Sequence, residues 1–335
     1  MIMIVPKNQN VVFGNQLANL KDRIVKNKPI MVPPFPIPKV ASGGIMALTS
    51  ARDNILYGRG VPENTIFRAR LNYDNVSDGL VLTNVELVLS AEMYPATFNG
   101  KKVIGYEDPT FVDKKCNPFA IDEEGFMCSQ VYQNDKKEGV YTNLVYVGLD
   151  GNGEPKCPLT ILTPEMIMDF GVAFNVDMVK EGELFSKNDD GKSYILFEYA
   201  GSHEGEPNSS NIGLAVIENG QVINCQRFWT AIEDGSKHIS TDSSLLQLSE
   251  TTYLLFFNRC RGNQWGINCM TVNMKDLRPE EIFPGWVVQA PTNEGLGPGD
   301  QLIAFVSSVS FQPDGNIGIL YHVNDNRPYY ALLKL

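Results

Sequence analysis

The chain has 335 residues, 43% of them hydrophobic and 20% charged, with a formal net charge of −11. That length exceeds an average domain but suits a single all-β barrel or propeller. The negative balance supplies no basic field for nucleic-acid phosphates or an anionic lipid surface, so neither is an expected partner and a neutral or locally compensated ligand fits better.

The opening stretch MIMIVPKNQNVVF lacks a basic segment followed by a long apolar core, and no run approaches the apolar length of a membrane span. A cytoplasmic protein is therefore expected. Cys116, Cys128, Cys157, Cys225, Cys260 and Cys269 form no CxxC pair, and the three histidines lie far apart. The pattern predicts reduced, partly buried thiols, no metal site and no cofactor.

Helical periodicity is confined to two stretches. GNQLANLKDRIV (14–25) is one candidate; TPEMIMDF (163–170) is the other, with Thr163 placed to cap and Pro164 in the first turn. Elsewhere short apolar or alternating runs are separated by Gly, Asn, Asp and Pro, the pattern of an all-β chain. Paired strands recur along it: GIMALTSARDNILYGRG with NTIFRARLN, GFMCSQVYQ with YTNLVYVGLDG, SYILFEYAG with NIGLAVIENGQVI, TTYLLFFNRC with QWGINCMTV, and NIGILYHVND with RPYYALLKL. A period of roughly fifty to sixty-five residues is that of propeller blades, each of which needs neighbours to cover its faces. The prediction is a single five-bladed β-propeller domain over 1–335, with 1–30 as an added strand or helix. Its blades would fall near 31–95, 100–160, 168–230, 236–288 and 295–335. A β-sandwich array is the alternative.

The stretch most in need of explanation is GYEDPTF (105–111). It falls where a second inner strand should begin. Pro109 restricts the backbone of the preceding carboxylates, and strand alternation would aim only one of Glu107 and Asp108 at the axis. An acidic surface turn is the ordinary alternative.

GYEDPTF resembles the G-x-EDPR segment of glycoside hydrolase family 130, five-bladed propellers that include mannosyl-glucose and mannooligosaccharide phosphorylases. VKEGELFSKNDDGKSYILFEYA (179–200), KHISTDSSLLQLSETTYLLFF (237–257) and GPGDQLIAF followed by GILYHVNDNRPYYALLKL are similar to later blade openings and the closing strand pair of that family, in the same order. The resemblance implies cleavage of a mannoside-like oligosaccharide by inversion, with Asp108 as proton donor and water or inorganic phosphate attacking. For hydrolysis a second carboxylate must activate water: Glu183 is the first candidate by position, beside Glu198 and Asp242. Lys180, Lys237, His238 and His322 could surround phosphate. Arg59, Arg68 and Arg70 could bind phosphate or sugar hydroxyls. Glu107 would help raise the Asp108 pKa, and Tyr106, Tyr199, Trp229, Trp265 and Trp286 offer faces to a pyranose ring or serve as core.

The chain departs from the family pattern at Thr110, where an arginine is usual, at Ser186 in place of a proline, and at Val323 in the closing pair. Fewer cations favour hydrolysis over phosphorolysis. Related arabinanase-like propellers carry a catalytic aspartate in the first blade, whereas MVPPFPIPKVASGG (31–44) has no carboxylate. A propeller that binds carbohydrate without cleaving it is the second expectation.

Overall fold

The computed structural model describes residues 24–31, 45–50, 54–61, 64–72, 80–133, 141–186, 191–242, 244–249, 252–273, 275–283, 285–289, 303–312, 315–323 and 327–333. The chain is all-β, built from consecutive antiparallel meanders. After β1 (Ile24–Met31), the first meander comprises β2 (Ile45–Ser50), β3 (Ile55–Gly60), β4 (Thr65–Asn72) and β5 (Leu80–Leu89). The next holds β6 (Thr97–Phe98), β7 (Lys101–Val112), β8 (Gly125–Tyr132), β9 (Tyr141–Gly148) and β10 (Leu159–Leu162). Helix α1 (Pro164–Asp169) leads into β11 (Phe174–Ser186), β12 (Ser193–Ser202), β13 (Ser209–Glu218) and β14 (Gln221–Trp229).

Helix α2 (Ala231–Asp234) precedes β15 (His238–Ser240), β16 (Leu245–Gln247), β17 (Thr252–Arg261), β18 (Gln264–Asn273), β19 (Arg278–Ile282) and β20 (Val288–Gln289). The last strands are β21 (Ala304–Phe311), β22 (Ile317–Val323) and β23 (Arg327–Leu333).

Local chemistry accounts for these elements. Every residue of β8 (GFMCSQVY) and β9 (YTNLVYVG) is buried, as expected of strands covered on both faces, whereas β14 (QVINCQRFW) is largely exposed and marks an outer edge. Between β13 and β14 the Asn219–Gly220 pair turns the chain with φ of 52° and 74°, the left-handed pair a two-residue hairpin requires. Helix α1 starts as its sequence predicts: the Thr163 side chain accepts a hydrogen bond from the Met166 amide at 3.3 Å, and Pro164 opens the first turn. Helix α2, absent from the sequence reading, is closed by a capping box between Thr230 and Glu233 and ends on Gly235 at φ 69°. Of the other predicted helix, 14–25, residues 14–23 lie outside the described residues, and Ile24 and Val25 open β1 instead.

Apolar clusters lie between successive meanders. One joins β3–β5 to β7–β9 through Tyr57, Leu89, Phe126 and Val145; another joins β7–β9 to β11–β13 through Leu144, Val179 and Phe197. A third packs Leu196 and Leu214 on Leu255 and Phe257, and a fourth packs Phe256 and Ile267 on Val309 and Ile319. The last returns to the start, with Leu320 and Tyr330 against Leu48, Leu56 and Phe67. The order of contacts is therefore circular. Strand β1 reinforces the join, pairing antiparallel with β23 and parallel with β5, so the first and last described strands share one eight-stranded sheet.

Truncation of the chain through Met31 exposes the edges of β5 and β23 together. Thermal unfolding and light scattering should show a lowered Tm and aggregation; an unchanged Tm would show that the closure contributes nothing.

Candidate active site

Strands β2, β7, β11 and β21 share one irregularity. Their pairing register shifts between Met46 and Thr49 on β2, Glu107 and Thr110 on β7, Lys180 and Glu183 on β11, and Val306 and Ser308 on β21. Within three of these bulges a non-glycine residue takes positive φ: Ala47 at 50°, Asp108 at 50° and Glu181 at 55°. Such residues cost about 1–3 kcal/mol each and bulges of this kind re-aim side chains beside active sites. The sequence reading set EDP at the start of a strand with its carboxylates on opposite faces. Instead it lies well inside β7, and the bulge breaks the alternation, so Glu107 and Asp108 are both buried and both reached by Arg59.

The bulges bring carboxylates around one ammonium group. Lys180 Nζ lies 3.4 Å from Glu181 Oε1, 3.8 Å from Glu198 Oε2 and 3.9 Å from Asp108 Oδ2. Lys180 and Glu198 face each other across β11 and β12, and Thr142 Oγ1 fixes the backbone beside them through both polar groups of Val179 at 3.0 Å. Arg59 Nη2 donates to Glu107 at 2.8 Å while Nη1 stands 3.6 Å from Asp108; Asn64 orients the guanidinium from below at 2.8 Å. His238 Nε2 stands 3.9 Å from Glu198 Oε1.

Burial and charge then sort the protons. Burial, reinforced by the Glu198 charge and opposed by Lys180, pushes the Glu181 carboxyl well above the usual range. Burial also pushes Glu198 up, but Lys180 and then His238 outweigh it and hold that carboxyl below its ordinary value. Burial would discharge Lys180, yet Glu198, Glu181 and Asp108 keep its pKa well above the lysine norm. His238 and His322 are lowered by burial, His322 to about 4, against the opposing charges of Glu198 and Asp108 respectively. Glu181 Oε2, both Glu198 oxygens and His238 Nε2 are buried without a hydrogen-bond partner. Buried polar atoms without partners are uncommon in folded proteins, and here they gather around one lysine.

The other predicted residues divide clearly. His322 is buried, with its Nδ1 3.0 Å from Ser307 Oγ. Asp242 is buried, and Thr110 Oγ1 donates to its Oδ1 at 3.5 Å. Glu183 Oε2 accepts the amides of Ser244 and Leu245, each at 2.7 Å, so this carboxylate ties β11 to the segment before β16. Arg68 binds Glu86 at 2.7 Å and the Gly153 carbonyl at 3.0 Å, away from the cluster. Lys237 is exposed and reaches Asn263 at 3.3 Å, and Arg70 is also exposed. Tyr106 and Tyr199 are fully buried in the core, which leaves them no face for a sugar. Glu181 was missed by the sequence reading; its signal, an acidic residue followed by Gly182 at the site of a bulge, is weak without the backbone.

Among the described residues no group of three or more His, Cys, Asp and Glu is arranged to hold a metal ion, and no helix is long and apolar enough to cross a membrane. None of the six thiols is in a disulfide; Cys128, Cys225, Cys260 and Cys269 are buried and Cys157 is exposed.

No family model and no curated protein matches the chain. Its fold, however, is shared with solved carbohydrate-acting proteins. It is similar to a β-1,2-mannobiose phosphorylase from Listeria innocua, with TM-score 0.60, 11% identity, and 90% and 92% of the two chains covered. It is also similar to a mannose phosphorylase from Leishmania mexicana solved with phosphate, at TM-score 0.55 and 10% identity over 93% and 89%. An endo-arabinase from Bacteroides thetaiotaomicron superposes at TM-score 0.51 and 13% identity over 88% and 95%.

Two predictions follow from the electrostatics. Lys180→Met removes the cation that the buried carboxylates share, so stability at neutral pH should fall by about 3 kcal/mol. The loss should shrink in acid, where those carboxylates take up protons; equal denaturation midpoints for mutant and wild type at neutral pH would contradict it. His322 binds its proton less readily folded than unfolded. Its contribution is therefore complete above its unfolded pKa of about 6.5 and is lost as pH falls toward 4. His322→Gln should flatten the pH dependence of Tm in that window, and an unaltered slope would overturn the assignment.

Proposed function

We propose that this chain is a glycoside-cleaving enzyme acting on a mannoside-like oligosaccharide by inversion, on a five-bladed propeller whose blades are the successive meanders. The observation that carries the reading is the buried cluster in which Asp108, Glu181 and Glu198 converge on Lys180. Breaking a glycosidic bond needs a proton on the leaving oxygen and negative charge facing the cation that develops on the ring. The family resemblance assigns the proton to Asp108. Burial and the neighbouring Glu198 push the Glu181 carboxyl well above its usual range, and it stands 3.4 Å from Lys180, which favours Glu181 for that step. Asp108, flanked by Arg59 and Lys180, then supplies the negative charge and takes the proton released by the attacking water, while the Glu181 proton goes to the leaving oxygen.

The charge balance favours water as the attacking group. Arg59 and Lys180 are already engaged with Glu107, Asp108, Glu181 and Glu198, and Thr110 replaces a further cation. Phosphate would have to displace those contacts.

The reading is tested by product analysis on mannooligosaccharides with and without phosphate. Wild type should release free reducing sugar at a rate phosphate does not raise. Glu181→Gln and Asp108→Asn should each lower the rate about 10²–10⁴-fold. A glycoside of a strongly acidic phenol needs no proton on its leaving group, so it should restore the Glu181→Gln rate and not the Asp108→Asn rate. Rescue of Asp108→Asn alone would return the proton to Asp108, and full activity in both variants would remove both roles.

A second reading rests on Ala47. It occupies on β2 the bulge position that holds Asp108 on β7 and Glu181 on β11, with the same backbone twist and only a methyl group. A propeller that binds carbohydrate without cleaving it fits that gap. Saccharide binding by wild type with no product after prolonged incubation would select it.

A further inference from the structure

Beside the carboxylates lies a continuous row of rings contributed by the last two meanders. His238 packs on Trp265 with centroids 4.8 Å apart, Trp265 on Phe305 at 5.4 Å, and Phe305 stacks on His322 at 5.3 Å with 23° between planes. His238 also meets Phe305 edge-on at 6.4 Å. The row is tied to the charged cluster at both ends. His238 Nε2 stands 3.9 Å from Glu198, and His322 feels the charges of Asp108, Arg59 and Lys180. Serine 307 holds the His322 ring in place through Nδ1.

Most large aromatic side chains near the cluster are sealed in the core, as Tyr106 and Tyr199 are. Trp286 is occupied from one side by the Arg259 guanidinium, 4.8 Å from its ring. Trp265 and Phe305 differ: both are only half-buried, side by side, between two histidines. Burial keeps both imidazoles largely neutral near neutral pH, so the wall carries no fixed charge beside a site rich in carboxylates. An uncharged aromatic surface next to acidic groups suits a ligand with an apolar face and hydroxyl edges, not an anion. A pyranose ring has that character: its axial C–H bonds pack on aromatic faces while its hydroxyls reach carboxylates and imidazoles.

We propose that Trp265 and Phe305 form a stacking subsite for one hexopyranose unit of the substrate, placed so that the adjoining glycosidic oxygen meets the carboxylate cluster. The proposal rests on the glycoside reading above and assigns it a recognition surface. His238 Nε2 and the Glu198 oxygens, which face each other at 3.9 Å beside the row, are the polar partners for hydroxyls of that unit. Trp265 and Phe305 are positioning residues, acting on binding rather than on the proton.

Mannobiose and mannotriose are titrated into wild type, Trp265→Ala, Trp265→Phe and Phe305→Ala, with affinity from calorimetry and tryptophan fluorescence. Wild type should bind with a fluorescence change that Trp265→Phe abolishes while keeping most of the affinity. Trp265→Ala and Phe305→Ala should bind roughly tenfold or more weakly. Far-ultraviolet circular dichroism identifies any variant that fails to fold, and Trp265→Phe keeps the test decisive if Trp265→Ala does. Saccharide binding by wild type that is equal in folded Trp265→Ala and Phe305→Ala, or a fluorescence change that survives Trp265→Phe, would overturn the subsite while sparing the function. Absence of binding to either saccharide in wild type would overturn both.

Discussion

One ammonium group organises the centre of this protein. Lys180 Nζ is within 4 Å of oxygens from Asp108, Glu181 and Glu198, carried by strands from neighbouring meanders. A pair of unit charges at that distance is worth about 4 kcal/mol at an effective dielectric of 20. Without the lysine, the buried carboxylates would repel one another and shed their charge. With it, the proton affinities separate: the Glu181 carboxyl is pushed well above its usual range, Glu198 is held below its own, and Lys180 is held above the lysine norm. A site that drives the affinities of neighbouring acids apart is suited to delivering a proton.

The fold makes that arrangement possible at a cost spread over β2, β7 and β11. A regular strand would have sent adjacent side chains to opposite faces. Bulges at Ala47, Asp108 and Glu181 instead turn successive residues toward the same region, each with a backbone angle that a side chain rarely adopts. The apolar clusters between meanders, and the closing pair of β1 with β23, hold these strained positions in place. Apolar packing lies in the seams between meanders, and the charged cluster lies where β7 and β11 depart from regularity.

Much of the strand pattern could be read from the sequence because alternation and turn residues are local. The described residues of SYILFEYAG, TTYLLFFNRC and RPYYALLKL form β12, β17 and β23, and Thr163 caps the helix its pattern foretold. The site was less legible. Asp108, Lys180, His238 and Arg59, which motif resemblance or position singles out, do converge; Glu183 accepts two backbone amides, and Glu181 carries no such signal. The difference between those two glutamates is one bulge, which depends on long-range pairing and leaves little trace in composition. Likewise Lys237 and His238 are adjacent in sequence, yet strand geometry sends one to solvent and the other to Glu198.

The central claim is that this cluster stores a proton on Glu181 at neutral pH. Carbon-13 labelling of glutamate side chains, with the Glu181 signal identified by its loss in Glu181→Gln, measures that state directly. The account predicts a Glu181 carboxyl shift characteristic of the protonated acid at neutral pH, moving to the ionised value only in more alkaline solution. A Glu181 signal already ionised at neutral pH, titrating in the ordinary carboxylate range, would contradict it.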